Sequence, residues 1–110
     1  MRSDIPEKGD FIIASFDPQS GHEQKGRRPS LVISNRIFNE RTQLAIVCPL
    51  TTTEKKYPLH VPVIDEPNVR GFIMVEQIKS IDFASREVKN IGKASPALLE
   101  EVLAKLEACL

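Results

Sequence analysis

The chain has 110 residues, with 15 basic and 15 acidic side chains and a formal net charge of zero. That length suits one domain, 1–110, with its own hydrophobic core, and 41% hydrophobic with 27% charged residues excludes a disordered chain. Zero net charge excludes recruitment of a polyanion by the field of the whole molecule, so any such attraction must come from a local patch.

In chain order, 10–16 (DFIIASF) is apolar with little polar relief and reads as a buried strand. Asp17-Pro18 breaks it, and a loop over 17–28 follows. A second strand is expected over 29–34 (PSLVIS), where Pro29 is tolerated at the start. Residues 35–42 read as a turn or one helical turn, and 43–50 (QLAIVCPL) as a third strand. Residues 51–56 (TTTEKK) read as a loop. Residues 57–64 (YPLHVPVI) alternate but carry two prolines, which marks an edge or interrupted strand. Residues 72–82 (FIMVEQIKSID) are apolar to Val75 and alternate from Glu76, so one long strand with a kink or bulge is expected. A short strand is expected within 86–93. The segment 95–110 has Ser95 at N-cap and Pro96 at N1. Leu98, Leu99, Val102, Leu103, Leu106 and Leu110 then form one helical stripe. Together these predict a mainly β fold with a C-terminal helix: a small, curled antiparallel sheet or partial barrel.

Two cysteines, Cys48 and Cys109, with no C-x-x-C spacing read as reduced thiols. No signal peptide is visible, and no apolar run approaches the ~18 residues of a membrane span. A cytoplasmic protein with no membrane partner is expected.

The polar chemistry is concentrated in Gly21–Pro29 (GHEQKGRRP). Flanking glycines permit sharp turns and close approach to a ligand. Arg27 and Arg28 present planar forks that match phosphate. His22 titrates near neutrality, and Glu23 offers a base. These groups could transesterify a phosphodiester without a metal: a base for the 2′-OH, a cation for charge on phosphorus, an acid for the leaving oxygen. A solvated charged loop is the competing reading. Charge distribution favours the first. Residues 21–56 hold seven basic side chains (Lys25, Arg27, Arg28, Arg36, Arg41, Lys55 and Lys56) against three acids. Residues 94–110 hold one basic side chain against three acids. The neutral total thus hides a basic region suited to a phosphate backbone.

Thr51, Thr52 and Thr53, at a strand end, can hydrogen-bond phosphate oxygens or satisfy local backbone groups instead. Glu76 breaks an apolar strand; it marks the switch to a solvent face, pairs with Lys79, or serves as a base or substrate acceptor. His60, in the edge strand, reads as structural. No H-E-x-x-H, P-loop or G-x-G-x-x-G is present.

These segments resemble the MazF/PemK family of toxin endoribonucleases from bacterial toxin–antitoxin modules. The resemblance rests on the D-P-x-x-G-x-E-Q-x-G-x-R-P pattern from Asp17 to Pro29, then CPLTTTEKKYP, GFIMVEQIKSID and the terminal helix, nearly the whole chain. It implies an SH3-like β-barrel and a homodimer. It implies cleavage of single-stranded RNA at short sequences, without metal or cofactor, to 2′,3′-cyclic phosphate and 5′-OH ends. It also implies inhibition by a cognate antitoxin whose acidic, disordered tail covers the groove. Family roles fall on Arg28 for stabilising the phosphorane, Thr51 for binding the phosphate, and Glu23 or His22 for orienting the 2′-OH. RNA contacts would come from Gln24, Lys25, Arg27, Thr52, Lys55, Lys56, Glu76, Gln77 and Lys79. The family carboxylate before Q-x-K-S-I is usually Asp; here it is Glu76, and Met74 stands where some members carry Arg. Those departures fit the branch that relies on the loop Arg and the Thr. Three alternatives compete, one of them a pure interaction domain in which the loop chemistry is incidental. A CcdB-like gyrase poison resembles a chain ending Trp-Gly-Ile, whereas this chain has no Trp and ends Ala-Cys-Leu. A non-catalytic RNA-binding module would display aromatic platforms, but aromatics are only 5% here.

Overall fold

A computed structural model of the chain describes residues 5–15, 27–53, 57–64 and 66–110. Among the described residues, seven strands form one antiparallel system: β1 (Asp10–Ser15), β2 (Arg27–Val32), β3 (Ala45–Thr51), β4 (His60–Val63), β5 (Gly71–Met74), β6 (Lys79–Ile81) and β7 (Lys89–Lys93). Their order is β4-β5-β3-β2-β1-β7, with β6 also paired to β3. The path is open, with β4 and β7 at its ends, so the expected partial barrel is present as a curled sheet and not a closed one. Two helices, α1 (Arg36–Thr42) and α2 (Pro96–Ala108), complete the fold.

Strand alternation explains the continuous apolar runs. Successive side chains point to opposite faces, and in the central strands both faces are buried. Phe11, Leu31, Cys48, Leu50, Val61 and Ile73 belong to one core cluster, which Val102 of α2 also enters. Ile12, Ala14, Val32, Ala45, Val47, Ile81 and Phe83 form a second. A strand covered on both sides has no position that water selects for a polar residue. The exception is Ser30, fully buried on β2.

Several expected boundaries are corrected. β2 begins at Arg27, so Arg27 and Arg28 are strand residues paired with Ser15 and Ala14, not the end of a loop. The expected third strand loses Gln43, which caps α1 in the left-handed region at φ 63°, and gains Thr51. The expected strand 57–64 shrinks to His60–Val63. The segment 72–82 is interrupted by a 3₁₀ turn at Val75–Gln77. On either side of it, β5 pairs with Leu50 and Thr51 while β6 pairs with Ala45 to Val47. The expected kink is therefore a full turn inserted between two stretches that share one partner strand.

The terminal helix forms as its caps predict, with the Ser95 side chain accepting from the Leu98 N–H. Leu98, Leu99, Leu103 and Leu106 pack on the core. Leu110, expected on the same stripe, lies beyond the helix and is exposed. A buried polar knot secures α1. Asn39 Nδ2 donates to the Pro6 and Ser34 carbonyls at 2.9 and 3.2 Å. Ser34 Oγ donates to Asn39 Oδ1 and accepts from the Ile46 N–H. The Asn39 and Ser34 side chains together tie the N-terminal segment, α1 and β3, which satisfies groups whose burial alone would be costly. No helix among the described residues is long and apolar enough to cross a membrane.

Candidate active site

The register of β2 on β3 positions the first pair of candidate residues. Ser30 lies opposite Pro49 and Val32 opposite Val47. The ladder ends at the Ser30–Pro49 pair, with Arg28 two residues before Ser30 on β2 and Thr51 two residues beyond Pro49 on β3, where β3 pairs with β5. Residues 28, 30 and 32 share one strand face, as do 47, 49 and 51. Both residues thus lie past the same end of the β2–β3 ladder. Arg28 is exposed and Thr51 half-buried.

Thr51 has a defined role in its own turn. Its Oγ1 accepts the Thr53 N–H at 3.2 Å. A hydroxyl that accepts at its lone pair keeps its hydrogen available, so Thr51 can donate to a phosphate oxygen. The Thr51 backbone is in turn held against Gly71, which has φ +121°. A Cβ added there would meet the Thr51 carbonyl oxygen at 2.5 Å, so only glycine permits this approach of β5 to the end of β3.

Beyond Thr51 lies a groove of about 450 Å³ lined by Thr51, Thr53, Tyr57, His60, Met74, Glu76 and Gln77. His60 lies opposite Met74 across β4 and β5. The 3₁₀ turn then curls the chain so that Glu76 returns towards β4, and the Val75 N–H donates to the Leu59 carbonyl at 3.2 Å. As a result His60 Nε2 stands 3.0 Å from Glu76 Oε2. The Tyr57 ring meets the His60 ring edge-on, with centroids 5.1 Å apart at 74°. Beneath this groove, burial pushes the Cys48 thiol up to about 12, with the Glu76 charge adding to the effect. Cys48 is therefore a neutral core residue and not a nucleophile.

The structure brings Thr51, Glu76 and Gln77 into one groove; Arg28 stands on β2, paired with Ala14, and is not part of its lining. Thr52 is exposed just past β3. Lys79 opens β6 opposite Val47, four residues down β3 from Thr51, which is roughly 13 Å along a strand. It does not join the groove's lining. His22, Glu23, Gln24, Lys25, Lys55 and Lys56 lie outside the described residues. Two groove residues were passed over in the sequence. His60 was read as structural, and Tyr57 was assigned no role. The Tyr-Pro-x-His spacing, with Pro58 between them, was the available signal.

Residues 7–110 match the model of the PemK-like, MazF-like toxins of type II toxin–antitoxin systems. The chain is 34% identical over 106 residues to the endoribonuclease toxin MazF of Escherichia coli K12, covering 96% of this chain and 95% of that protein. The crystal structure of MazF from Deinococcus radiodurans superposes with a TM-score of 0.84 at 36% identity, covering 96% of each chain. A MazE–MazF complex from the same organism gives a TM-score of 0.84 at 30% identity, covering 96% of this chain and 94% of that one. The chain belongs to the family of PemK-like, MazF-like toxins of type II toxin–antitoxin systems.

Proposed function

We propose that this endoribonuclease toxin cleaves single-stranded RNA by metal-independent transesterification, with Arg28 of β2 and Thr51 of β3 acting on one phosphate. The 2′-oxygen attacks the adjacent phosphorus and the P–O5′ bond breaks. The products are a 2′,3′-cyclic phosphate and a 5′-OH. The 2′-OH proton passes to a base, for which Glu23 and His22 are the candidates, and the 5′-oxygen takes up a proton as it leaves. Arg28 holds the non-bridging oxygens with its fork as negative charge grows there. Thr51 donates from its free hydroxyl hydrogen. The observation that supports this reading is that Arg28 and Thr51 stand on two paired strands, β2 and β3, each two residues past the same end of their ladder. Groups on paired strands are preorganised, which electrostatic catalysis requires.

The MazE–MazF complex matched above supports an antitoxin partner for this chain. An acidic, initially disordered tail suits the basic region around Arg28. A symmetric homodimer is also proposed. Its expected interface was the apolar surface of the second and third strands or of the terminal helix. Leu31, Val32, Val47 and Cys48 are fully buried within the protomer, whereas Ile37 and Phe38 of α1 are exposed. Ile64, Ile78 and Leu110 are exposed as well, and the interface we propose is α1, where two such side chains are adjacent.

Incubation of purified protein with one long RNA in EDTA, followed by end-group analysis, tests the chemistry. Cyclic phosphate and 5′-OH ends are expected. Loss of cutting in EDTA, or 5′-phosphate ends, would overturn the mechanism.

A further inference from the structure

β3 is a central strand that contains a proline. Proline donates no hydrogen bond to a ladder and is ordinarily confined to sheet edges and bulges, yet Pro49 is buried and lies opposite Ser30 of β2. Its neighbours fix the side to which its nitrogen points. The Ile33 N–H donates to the Ile46 carbonyl, so the backbone groups of Ile46, Cys48 and Leu50 face β2. Those of Ala45, Val47, Pro49 and Thr51 alternate with them and face β5 and β6. Val47 pairs there with Lys79, and Thr51 with Phe72. Pro49, between them, brings no hydrogen to that side. The facing chain leaves the ladder at this point. β3 advances four residues from Val47 to Thr51, while its partner advances seven from Phe72 to Lys79. The surplus is the 3₁₀ turn Val75–Gln77, whose Val75 N–H goes to the Leu59 carbonyl instead.

The hydrophobic pattern does not demand this excursion. Were β5 to run straight on, Met74 would face Pro49. Glu76, Gln77 and Ile78 would then take the places that Lys79, Ser80 and Ile81 hold opposite Val47, Ile46 and Ala45. Each triplet is two polar residues followed by isoleucine. Val75 would face Cys48, within the core cluster that both already share. Register is normally chosen by which side chains must be buried, and here either register sets an isoleucine against Ala45. What separates them is the Met74 carbonyl, which in the straight register would meet a ring nitrogen without a hydrogen.

We propose that Pro49 is a positioning residue: by withholding one N–H it forbids the straight register and so keeps Glu76 and Gln77 in the groove beside Thr51. In the straight register Glu76 would stand opposite Val47, roughly 13 Å down β3 from Thr51, and its contact with His60 would be lost. That Glu76 and Gln77 meet RNA rests on the reading above; the choice of register does not.

The register is read without RNA, from nuclear Overhauser contacts between α-hydrogens, which lie close across non-hydrogen-bonded pairs. Wild type should show Ile46 against Ser80. Pro49→Ala supplies the missing donor and should show Ile46 against Gln77. Ile78 is exposed in the native register, but in the straight one it would take the place of buried Ile81. Ile78→Lys therefore penalises the straight register alone. The double variant Pro49→Ala/Ile78→Lys should return to the Ile46–Ser80 contact, which a mere loss of ring stiffness would not do. In single-turnover cleavage the half-saturating RNA concentration should rise about tenfold for Pro49→Ala, with the maximal rate less affected, and recover in the double variant. A wild-type protein that cuts no RNA would overturn the reading above and leave the α-hydrogen contacts to decide the register. Pro49→Ala protein that keeps the Ile46–Ser80 contact overturns the proposal, and so does a loss of fold or of cleavage that Ile78→Lys does not repair.

Discussion

At the scale of single residues, Cys48 and Cys109 show how environment divides one side-chain type. Cys48 is buried and Cys109 exposed. Alkylation of the native protein should modify Cys109 alone, and denaturation should add a second label; intact mass spectrometry reads both states. Rapid double labelling of native protein would contradict the burial of Cys48. The same residue predicts a pH effect on stability. Its thiol pKa is raised from 9.0 in the unfolded chain to about 12 in the folded one. Below pH 9 both states are protonated and its contribution is intact. As pH rises from 9 towards 12, the unfolded state releases a proton that the folded state keeps, and stability falls by roughly 1 kcal/mol per pH unit. Urea unfolding should therefore decline more steeply over that window for wild type than for Cys48→Ala. Parallel declines would remove the effect.

At the scale of elements, the site depends on how three strand ends meet. The left-handed backbone of Gly71 lets β5 close on the Thr51 carbonyl. Gly71→Ala places a methyl group against backbone that cannot rotate away. The last residue of β3 must shift, and cleavage should drop by about tenfold or more while global folding, followed by circular dichroism, survives. A fully active Gly71→Ala protein would show that Thr51 tolerates displacement. Elements defined by local signals were legible in the sequence. The Ser95-Pro96 start of α2 needs only capping and the fixed φ of proline. β1 and β3 declare themselves by unbroken apolar runs. The division of 72–82 was only half legible. The change of pattern at Glu76 is visible, but its cause is tertiary, because both halves pair with β3. The His60–Glu76 pair was illegible for a related reason. Sixteen residues separate its members, and only the β4–β5 register and the 3₁₀ turn bring them together. Arg28 could be named from its motif, but its place on a strand paired with that of Thr51 required the β2–β3 register.

At the scale of the whole molecule, a neutral chain has to localise its attraction for RNA, and strands rather than net charge do this. The homodimer is proposed on α1, because the central strands bury their apolar side chains while Ile37 and Phe38 stand exposed side by side. Sedimentation at tens of micromolar should show a dimer for wild type and a shift towards monomer for Ile37→Glu. A wild-type monomer would refute the assembly, and an unaffected Ile37→Glu dimer would move the interface away from α1. The central claim is that Arg28, held in extended backbone by β2 and by the following Pro29, stabilises the transition state on phosphorus. Arg28→Lys keeps the charge but loses the planar fork, whereas Arg27→Ala removes a neighbouring cation. The measurement is single-turnover RNA cleavage in EDTA, with RNA binding measured across a salt series for both variants. The account predicts a loss of about 10²-fold or more in rate for Arg28→Lys with binding largely kept. For Arg27→Ala it predicts mild weakening of binding, with a salt slope shallower by about one. An Arg28→Lys protein that cuts RNA at the wild-type rate would contradict it.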